Sequence, residues 1–403
     1  MDFEPSDKSK AIQSQLERFM DEYIYPNERV YQEQAEASAD PHAEPAVMKG
    51  IRAKAKEIGL WNLFLPDPEH GPGLSNLDYT PLCEVMGRSP MAARAFNCQA
   101  PDTGNAEILA EFGTPEQKKR WLEPLLEGEI RSCFSMTEPE TSGADPTGLR
   151  TLVRRDGDDY VIDGHKWFTS SADGAAVAVV MAVTDAQAPK HQRASMILVP
   201  TSTPGFRLVR NISVMGHAGD DWASHGEVRY EGCRVPRTNL VGREGQGFAL
   251  AQERLGPGRI HHCMRMIGAA QRALELMIDR ANTRIAFGRP LIKQQSVRED
   301  IARSACQIEQ ARLLTLKAAQ KMDTVGNKGA QDLIAMIKIV APNMALEVID
   351  RAMQIHGGVG LSQDTPLAHL WAYARTLRLA DGPDQVHMMQ LGRNLARRRE
   401  AGG

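Results

Sequence analysis

A double change of hydrophobic rhythm constrains this chain more than any other feature. Residues 1–130 carry apolar side chains at helical spacing, residues 131–244 break into short β-branched and aromatic runs, and residues 245–403 return to the helical period. In the first segment Ile12, Leu16, Phe19 and Met20 share one helical face, Leu60-Trp61-Asn62-Leu63-Phe64-Leu65 reads as a buried connection, and Gly71-Pro72-Gly73 reads as a loop. Thr114-Pro115-Glu116-Gln117 joins a capping box to a proline at the first helical position, so it starts a helix whose apolar side is Trp121, Leu122, Leu125 and Leu126.

The middle segment supplies strands at Tyr160–Ile162, Lys166–Thr169, Val177–Val183, Met196–Val199 and Glu227–Tyr230, separated by Gly, Asp and Pro turns. In the last segment Val297, Ile301, Ala305, Ile308, Ala311, Leu314 and Ala318 form one helical stripe. Leu333, Ile337, Val340, Met344 and Val348 form another, which Pro342 is expected to kink. The expected plan is mainly α with a central β domain, in three consecutive domains at 1–130, 131–244 and 245–403.

A chain of 403 residues has enough interior to bury a cofactor. Its formal charge of −3 gives no general attraction to a polyanion or a charged membrane surface, so nucleic acid is an unlikely partner on charge alone. Cys83, Cys98, Cys133, Cys233, Cys263 and Cys306 lack the close spacing of zinc or dithiol motifs and read as core thiols of a reducing compartment. The histidines are dispersed, with His42, His70 and His191 in loops, and no metal site is expected. The acidic, polar start resembles neither a secretory nor a transit leader, and the apolar run Ala175–Val183 is too short to cross a bilayer; a cytoplasmic protein without membrane contact is expected.

The segment Leu377–Gln385 holds the most reactive arrangement. Asp381 directly precedes a helix-start signal, in which Gly382 is a joint and Pro383 suits the first turn of a helix running through Val386 and Met389. A carboxylate so fixed can act as a base. The plainer reading is an N-terminal decoration paired with Arg378, three residues earlier.

Several separated anchors decide between these readings. They are Gly113–Leu125 leading through Gly128-Glu129-Ile130 into Phe134-Ser135-Met136-Thr137-Glu138-Pro139, then Asp163–Ser170, then Arg284–Leu291 ending at Gln295. Gln354-Ile355-His356-Gly357-Gly358-Val359-Gly360 and Ala380-Asp381-Gly382 complete the set. In this order and spacing the chain resembles the acyl-CoA dehydrogenase family over essentially its whole length. The resemblance implies an N-terminal helical domain, a middle β-barrel-like domain and a C-terminal four-helix bundle. It also implies FAD-dependent α,β-dehydrogenation of an acyl-CoA thioester to a trans-2-enoyl-CoA, by α-proton abstraction and β-hydride transfer to flavin.

By that resemblance Phe134, Met136 and Thr137 line the isoalloxazine, Trp167 covers it and Thr169 bonds its polar edge; Trp167 taken alone would be a β-core anchor. Arg284, Phe287, Gln295, Gln354, Gly357 and Gly358 resemble the groups that meet the diphosphate and adenosine, largely of a neighbouring subunit's cofactor. No G-x-G-x-x-G fingerprint follows a strand, which disfavours a Rossmann nicotinamide site.

Asp381 stands at the position of the catalytic base, where the family norm is Glu. The arm is one methylene shorter, so the substrate sits nearer or a water bridges. Its backbone N–H is retained for the developing enolate oxygen. The alternative base position of other branches falls on Gly258, which cannot serve, with Glu253 as a fallback. Gly382 and Arg259 match substrate-side positions, and Ser142 lies in the loop that meets CoA, displaced by one residue; a turn-capping serine is the plainer reading. Gly382-Pro383 replaces the usual Gly-Thr and loses a cofactor-bonding hydroxyl, whereas Gln385 keeps an amide for the cofactor.

The combination Leu255–Arg265 with Leu379–Asp384 resembles the branch whose larger eukaryotic members carry a fused kinase-like domain. The doublet His261-His262 reads as helix surface, or else as contacts to a polar acyl group. The implied partners are an acyl-CoA, an electron-transfer flavoprotein and a second or further copy of the chain, as homodimer or homotetramer. Two competing readings use the same fold: a nitroalkane-oxidase-like flavin oxidase, and a DNA-binding flavoprotein for which only Arg393 to Arg399 offers a basic patch.

Overall fold

The computed structural model describes residues 3–40, 43–216 and 224–402; His42 lies outside them. The longer helices before the sheet are α1 (Asp7–Phe19), α2 (Glu28–Ala37), α3 (Ala46–Glu57), α4 (Asn76–Gly87) and α5 (Asp102–Phe112). Helix α1 starts at Ser6, whose hydroxyl accepts from the Ser9 N–H, and it buries Leu16 and Phe19 on the expected face. The capping box at Thr114 forms as read: the Thr114 hydroxyl accepts from the Gln117 N–H at 3.2 Å, and the Gln117 side chain accepts from the Thr114 N–H at 3.1 Å. The helix continues through a π turn at Lys118–Leu122 to Glu127, and Gly128 ends it at φ 73°.

Among the described residues eight strands follow: β1 (Ser132–Ser135), β2 (Leu152–Asp156), β3 (Asp159–Ser170), β4 (Val177–Val183), β5 (Ala194–Pro200), β6 (Phe206–Asn211), β7 (His225–Pro236) and β8 (Leu240–Val241). Their order is β6-β7-β3-β2-β4-β5-β8, with β1 paired in parallel to β4. All seven residues of β4 are buried, which explains its unbroken apolar run as a central strand. The runs at Tyr160 and Lys166 belong to one strand rather than two, because Gly164 makes an irregularity and not a turn. A Cβ there would lie 2.3 Å from the Thr151 hydroxyl, so only glycine lets the strand pass. A second irregularity, between Lys166 and Thr169, coincides with Phe168 at φ 48°.

Helix α6 (Gly247–Thr283) leads to a short hairpin of β9 (Ile285–Ala286) and β10 (Arg289–Pro290), then to α7 (Gln295–His356), α8 (Leu367–Leu377) and α9 (Asp384–Glu400). Helix α7 is two helices broken at Gly326 (φ 73°, ψ 175°), and the backbone stays helical through Pro342, where the kink was expected. Two stripe positions also turn outward. Ala305 and Val340 are exposed, while Ser304 and Lys338 take the buried positions beside them, Ser304 accepting from Arg351 at 3.1 Å. Five cysteines are buried, but Cys306 is exposed and is not a core thiol. No helix among the described residues is long and apolar enough to cross a membrane.

Compactness groups the chain differently from three consecutive domains. One unit comprises Met1–Pro26, Leu74–Ala93 and Gly256–Gly403, the other Asn27–Gly73 and Arg94–Leu255. The reason lies in α1 and α4, which belong with the helices of the first unit: Arg88 pairs with Glu275, Arg312 with Glu84, and Asp323 accepts from the N–H groups of Asn76 and Leu77. The second unit is organised on the sheet, with Tyr160, Ile162, Val180, Ile197, Val228 and Tyr230 in its core.

Inside that sheet unit an ion pair is buried completely. Lys166 Nζ donates to Glu138 Oε1 at 2.9 Å and to the Met136 carbonyl at 2.8 Å, while the Glu138 carboxylate also accepts the N–H groups of Arg150 and Thr151. Burial raises the Glu138 carboxyl, but Lys166 and Thr151 outweigh it and hold the group low; burial brings Lys166 down to about 8, so both stay charged at neutral pH. Removing one partner leaves a buried charge without compensation. Lys166→Met is therefore expected to cost about 3 kcal/mol or more in stability, and Lys166→Met with Glu138→Gln to recover part of it in thermal melts; a single variant as stable as the parent refutes the role.

Candidate active site

The expected base sits on a tightly locked loop between α8 and α9. The Asp384 N–H donates to the Arg378 carbonyl at 3.1 Å, and Arg378 Nε donates to Asp384 Oδ2 at 2.8 Å, closing the loop at both ends. Arg378 therefore serves Asp384 and not Asp381, which overturns the sequence pairing: a nearly buried carboxylate captures the guanidinium. Asn343 Nδ2 donates to the same carboxylate at 3.1 Å. Pro383 stands at the N-cap, one position before the first helical turn in which it was expected.

Within the loop, Asp381 has φ 56° and Gly382 φ 98°. A non-glycine residue in the left-handed region needs its surroundings to hold it there, and the main chain on both sides is held. Lys338 Nζ donates to the Leu377 and Ala380 carbonyls at 2.6 and 2.8 Å, Arg259 Nε donates to the Asp381 carbonyl at 3.1 Å, and His387 Nε2 meets that carbonyl at 3.2 Å. Arg259, read as a substrate contact, thus has its Nε engaged on the base's own backbone. A Cβ at Gly382 would lie 3.0 Å from His387 Nε2, so glycine suits both the backbone angle and the space.

With its backbone so fixed, the Asp381 side chain keeps 22 % of its exposure, and its Oδ2 lies 3.5 Å from His262 Nε2. The Tyr373 hydroxyl is 3.4 Å from His262 Nδ1. The doublet is not helix surface: His261 is buried edge-on against Tyr79 with ring centroids 4.8 Å apart, whereas His262 faces the acid. Burial lowers the pKa values of Arg259 and Lys338, opposed in both by the Asp381 charge. Burial, then the Arg259 and Lys338 charges, bring His387 to about 4, so at neutral pH it is uncharged and donates through Nε2–H.

The sheet unit holds the expected flavin-side residues. The Thr137 carbonyl accepts from the Trp167 N–H at 3.0 Å, and the Met136 carbonyl accepts from Lys166, so the 136–138 segment is sewn to β3. Phe134 pairs with Val179 across the sheet, and the Arg254 guanidinium lies over its ring at 4.1 Å. Thr169 is wholly buried with its hydroxyl 3.1 Å from that of Ser135, a core position rather than an open edge. The Trp167 indole nitrogen is buried with no hydrogen-bond partner, the type of orphaned donor that a planar ring bearing acceptors would satisfy.

The remaining expected contacts are open. Arg284, Gln295, Gln354, Gly357, Gly358 and Gln385 are exposed, and Phe287 is 98 % exposed at the tip of the β9–β10 hairpin. Gly357 has φ 67° and ψ −144°, which only glycine adopts readily, and a Cβ at Gly357 or Gly358 would meet nothing within 4 Å. Ser142 is exposed, its carbonyl accepting from the Asp145 N–H. Gly258 is open, and Glu253 is exposed; burial, and then the Glu253 charge, raises the pKa of Glu111 on α5.

Sequence reasoning missed Arg254, Lys338, Tyr373 and His387. Only Lys338 left a signal, a charge flanking an apolar stripe at the place where Val340 turns outward. One acidic turn also escaped notice: Asp67, Glu69 and His70 lie close enough to approach a cation, yet Asp67 is already bonded to His70 and to the Glu69 N–H.

Family models for the acyl-CoA dehydrogenase N-terminal, middle and C-terminal domains match residues 6–129, 133–233 and 245–396. The chain is 51% identical over 391 residues to "Acyl-CoA dehydrogenase family member 10" of Mus musculus, covering 95% of this chain and 36% of that one. It is 50% identical over 397 residues to "Probable acyl-CoA dehydrogenase FadE2" of Mycobacterium tuberculosis, covering 98% and 96%. A solved structure, "Structure of a putative acyl-CoA dehydrogenase from Mycobacterium abscessus", aligns with TM-score 0.94 at 46% identity over 98% of this chain and 99% of that one. The chain thus spans about a third of the mouse relative and nearly all of the mycobacterial ones.

The neutral, buried His387 makes the base loop acid-sensitive. Its folded pKa of about 4 lies below the ordinary 6.5, so the unfolded chain binds the proton first and stability falls as pH drops from 6.5 toward 4. The expected slope from this group is about 1.4 kcal/mol per pH unit. His387→Gln should flatten the decline of melting temperature across that window, and an unchanged decline would contradict the assignment.

Proposed function

This chain belongs to the acyl-CoA dehydrogenase family, with helical N- and C-terminal domains and a middle sheet domain, and on that premise we propose that it desaturates an acyl-CoA thioester to a trans-2-enoyl-CoA. The observation that carries this reading is the treatment of Asp381. Its backbone is held from α6, α7 and α9, while its side chain stays partly exposed. A group held in that way costs little further ordering when it meets a substrate.

Asp381 takes the α-proton of the thioester onto a carboxylate oxygen, and its backbone N–H is the donor available for the developing enolate oxygen. Bound at the flavin-side residues, FAD would supply the acceptor for the β-hydrogen as hydride. The orphaned Trp167 N–H and the pinned 136–138 segment fit such a ring. Phe134, Met136, Thr137 and Trp167 would hold the isoalloxazine, whereas Thr169, buried against Ser135, would support the strand that carries Trp167. Arg284, Phe287, Gln295, Gln354, Gly357, Gly358 and Gln385 would serve its diphosphate and adenosine, and their exposure on a single chain supports service to a cofactor shared between copies. Ser142, Arg259 and Gly382 are the substrate-side positions, Arg259 acting through the Asp381 carbonyl.

A homodimer or homotetramer is the assembly we infer, because an exposed tip carrying Phe287 and Ile285 suits burial against another chain. An electron-transfer flavoprotein is the proposed acceptor of the electrons. The test is anaerobic mixing with acyl-CoAs from butyryl to palmitoyl. Asp381→Asn should keep the yellow flavin but bleach about a thousandfold more slowly than the parent; near-normal bleaching rejects the base.

A further inference from the structure

We propose that His262 is a positioning residue for Asp381, its Nε2–H holding the carboxylate in its reactive orientation while Tyr373 fixes the imidazole from the far side. The inference rests on Asp381 being the base. The geometry is a chain of three side chains: Tyr373 Oη to His262 Nδ1 at 3.4 Å, and His262 Nε2 to Asp381 Oδ2 at 3.5 Å. An ionised carboxylate only accepts, so Nε2 carries the hydrogen; Nδ1 is then the acceptor, and the Tyr373 O–H donates to it. Both distances are long for hydrogen bonds, as such contacts often are before substrate tightens them.

The neighbouring groups act chiefly on the backbone of the loop. Lys338, Arg259 and His387 donate to main-chain carbonyls of the loop, and Arg378 is bonded to Asp384. These bonds fix where the Asp381 backbone lies, and the Arg259 and Lys338 charges also act on its carboxylate, while His262 approaches the carboxylate oxygen itself at 3.5 Å. On its own helix, His262 is flanked by His261, which packs on Tyr79, and by the buried thiol of Cys263. With 14 % of its side-chain surface exposed, His262 is confined yet near enough to solvent to exchange protons. Protonation would turn Nδ1 into a donor, reverse the Tyr373 hydrogen bond and place a full positive charge beside the base.

The first test needs no substrate. The imidazole signals of the carbon-13-labelled holoenzyme are titrated by NMR, with His262 assigned by its disappearance in His262→Gln. Removing the neighbouring charge with Asp381→Asn should lower the His262 pKa by about one unit; an unmoved titration overturns the proposal. The second test measures anaerobic flavin bleaching with the most reactive acyl-CoA of the butyryl-to-palmitoyl series. His262→Phe should slow the limiting rate about tenfold with acyl-CoA affinity nearly unchanged, whereas His262→Gln, which keeps a donor, should stay within about threefold of the parent. Parental rates in His262→Phe, or equal losses in Phe and Gln, overturn it. Normal bleaching by Asp381→Asn sinks the base assignment itself, whereas an inactive Asp381→Asn beside a fully active His262→Phe sinks only the inference about His262.

Discussion

One buried lysine holds together the segment on which the proposed chemistry depends. Lys338 is 1 % exposed, and its ammonium bridges the Leu377 carbonyl at the end of α8 to the Ala380 carbonyl just before Asp381. Charge-assisted hydrogen bonds of this kind contribute about 1.5–3 kcal/mol each, and leaving the carbonyls unpaired would cost a similar amount. That contribution is what permits a non-glycine residue to remain at φ 56°. Arg259 and His387 then fix the next carbonyl, so the reactive side chain departs from a backbone with little freedom left.

The sheet unit repeats the device with different parts. Lys166, also buried, donates to the Met136 carbonyl and pairs with Glu138, and so pins the segment to which the flavin-side contacts are assigned. In each unit a buried cation bonds and so organises backbone carbonyls. Such lysines are costly to desolvate, as their lowered pKa values reflect, and they persist because carbonyl oxygens and a carboxylate surround them.

Much of the fold was legible because hydrophobic period reports local structure directly. The Thr114 capping box, the all-buried strand Val177–Val183 and the helix beyond Pro383 needed no tertiary knowledge. The errors share a cause. Pro342 stayed within regular helix while Gly326 broke it, because a glycine can leave helical dihedrals and nothing in the pattern says that it will. Sequence distance points Arg378 at Asp381, yet the closed loop brings Asp384 to it. At the site, Asp381 was visible as a carboxylate before a helix start. Its supports come from α6, α7, α8 and α9, and sequences separated by more than a hundred residues carry no local sign that Arg259 or His262 will meet it.

The account stands or falls on proton abstraction by Asp381, which can be observed apart from oxidation. A 3-thia-acyl-CoA has no β-hydrogen to lose, so exchange of its C2 hydrogens in D2O, followed by mass spectrometry, reports the base alone. Parent holoenzyme should exchange them readily, and Asp381→Asn should reduce exchange to the enzyme-free rate. Undiminished exchange by the variant would contradict the account.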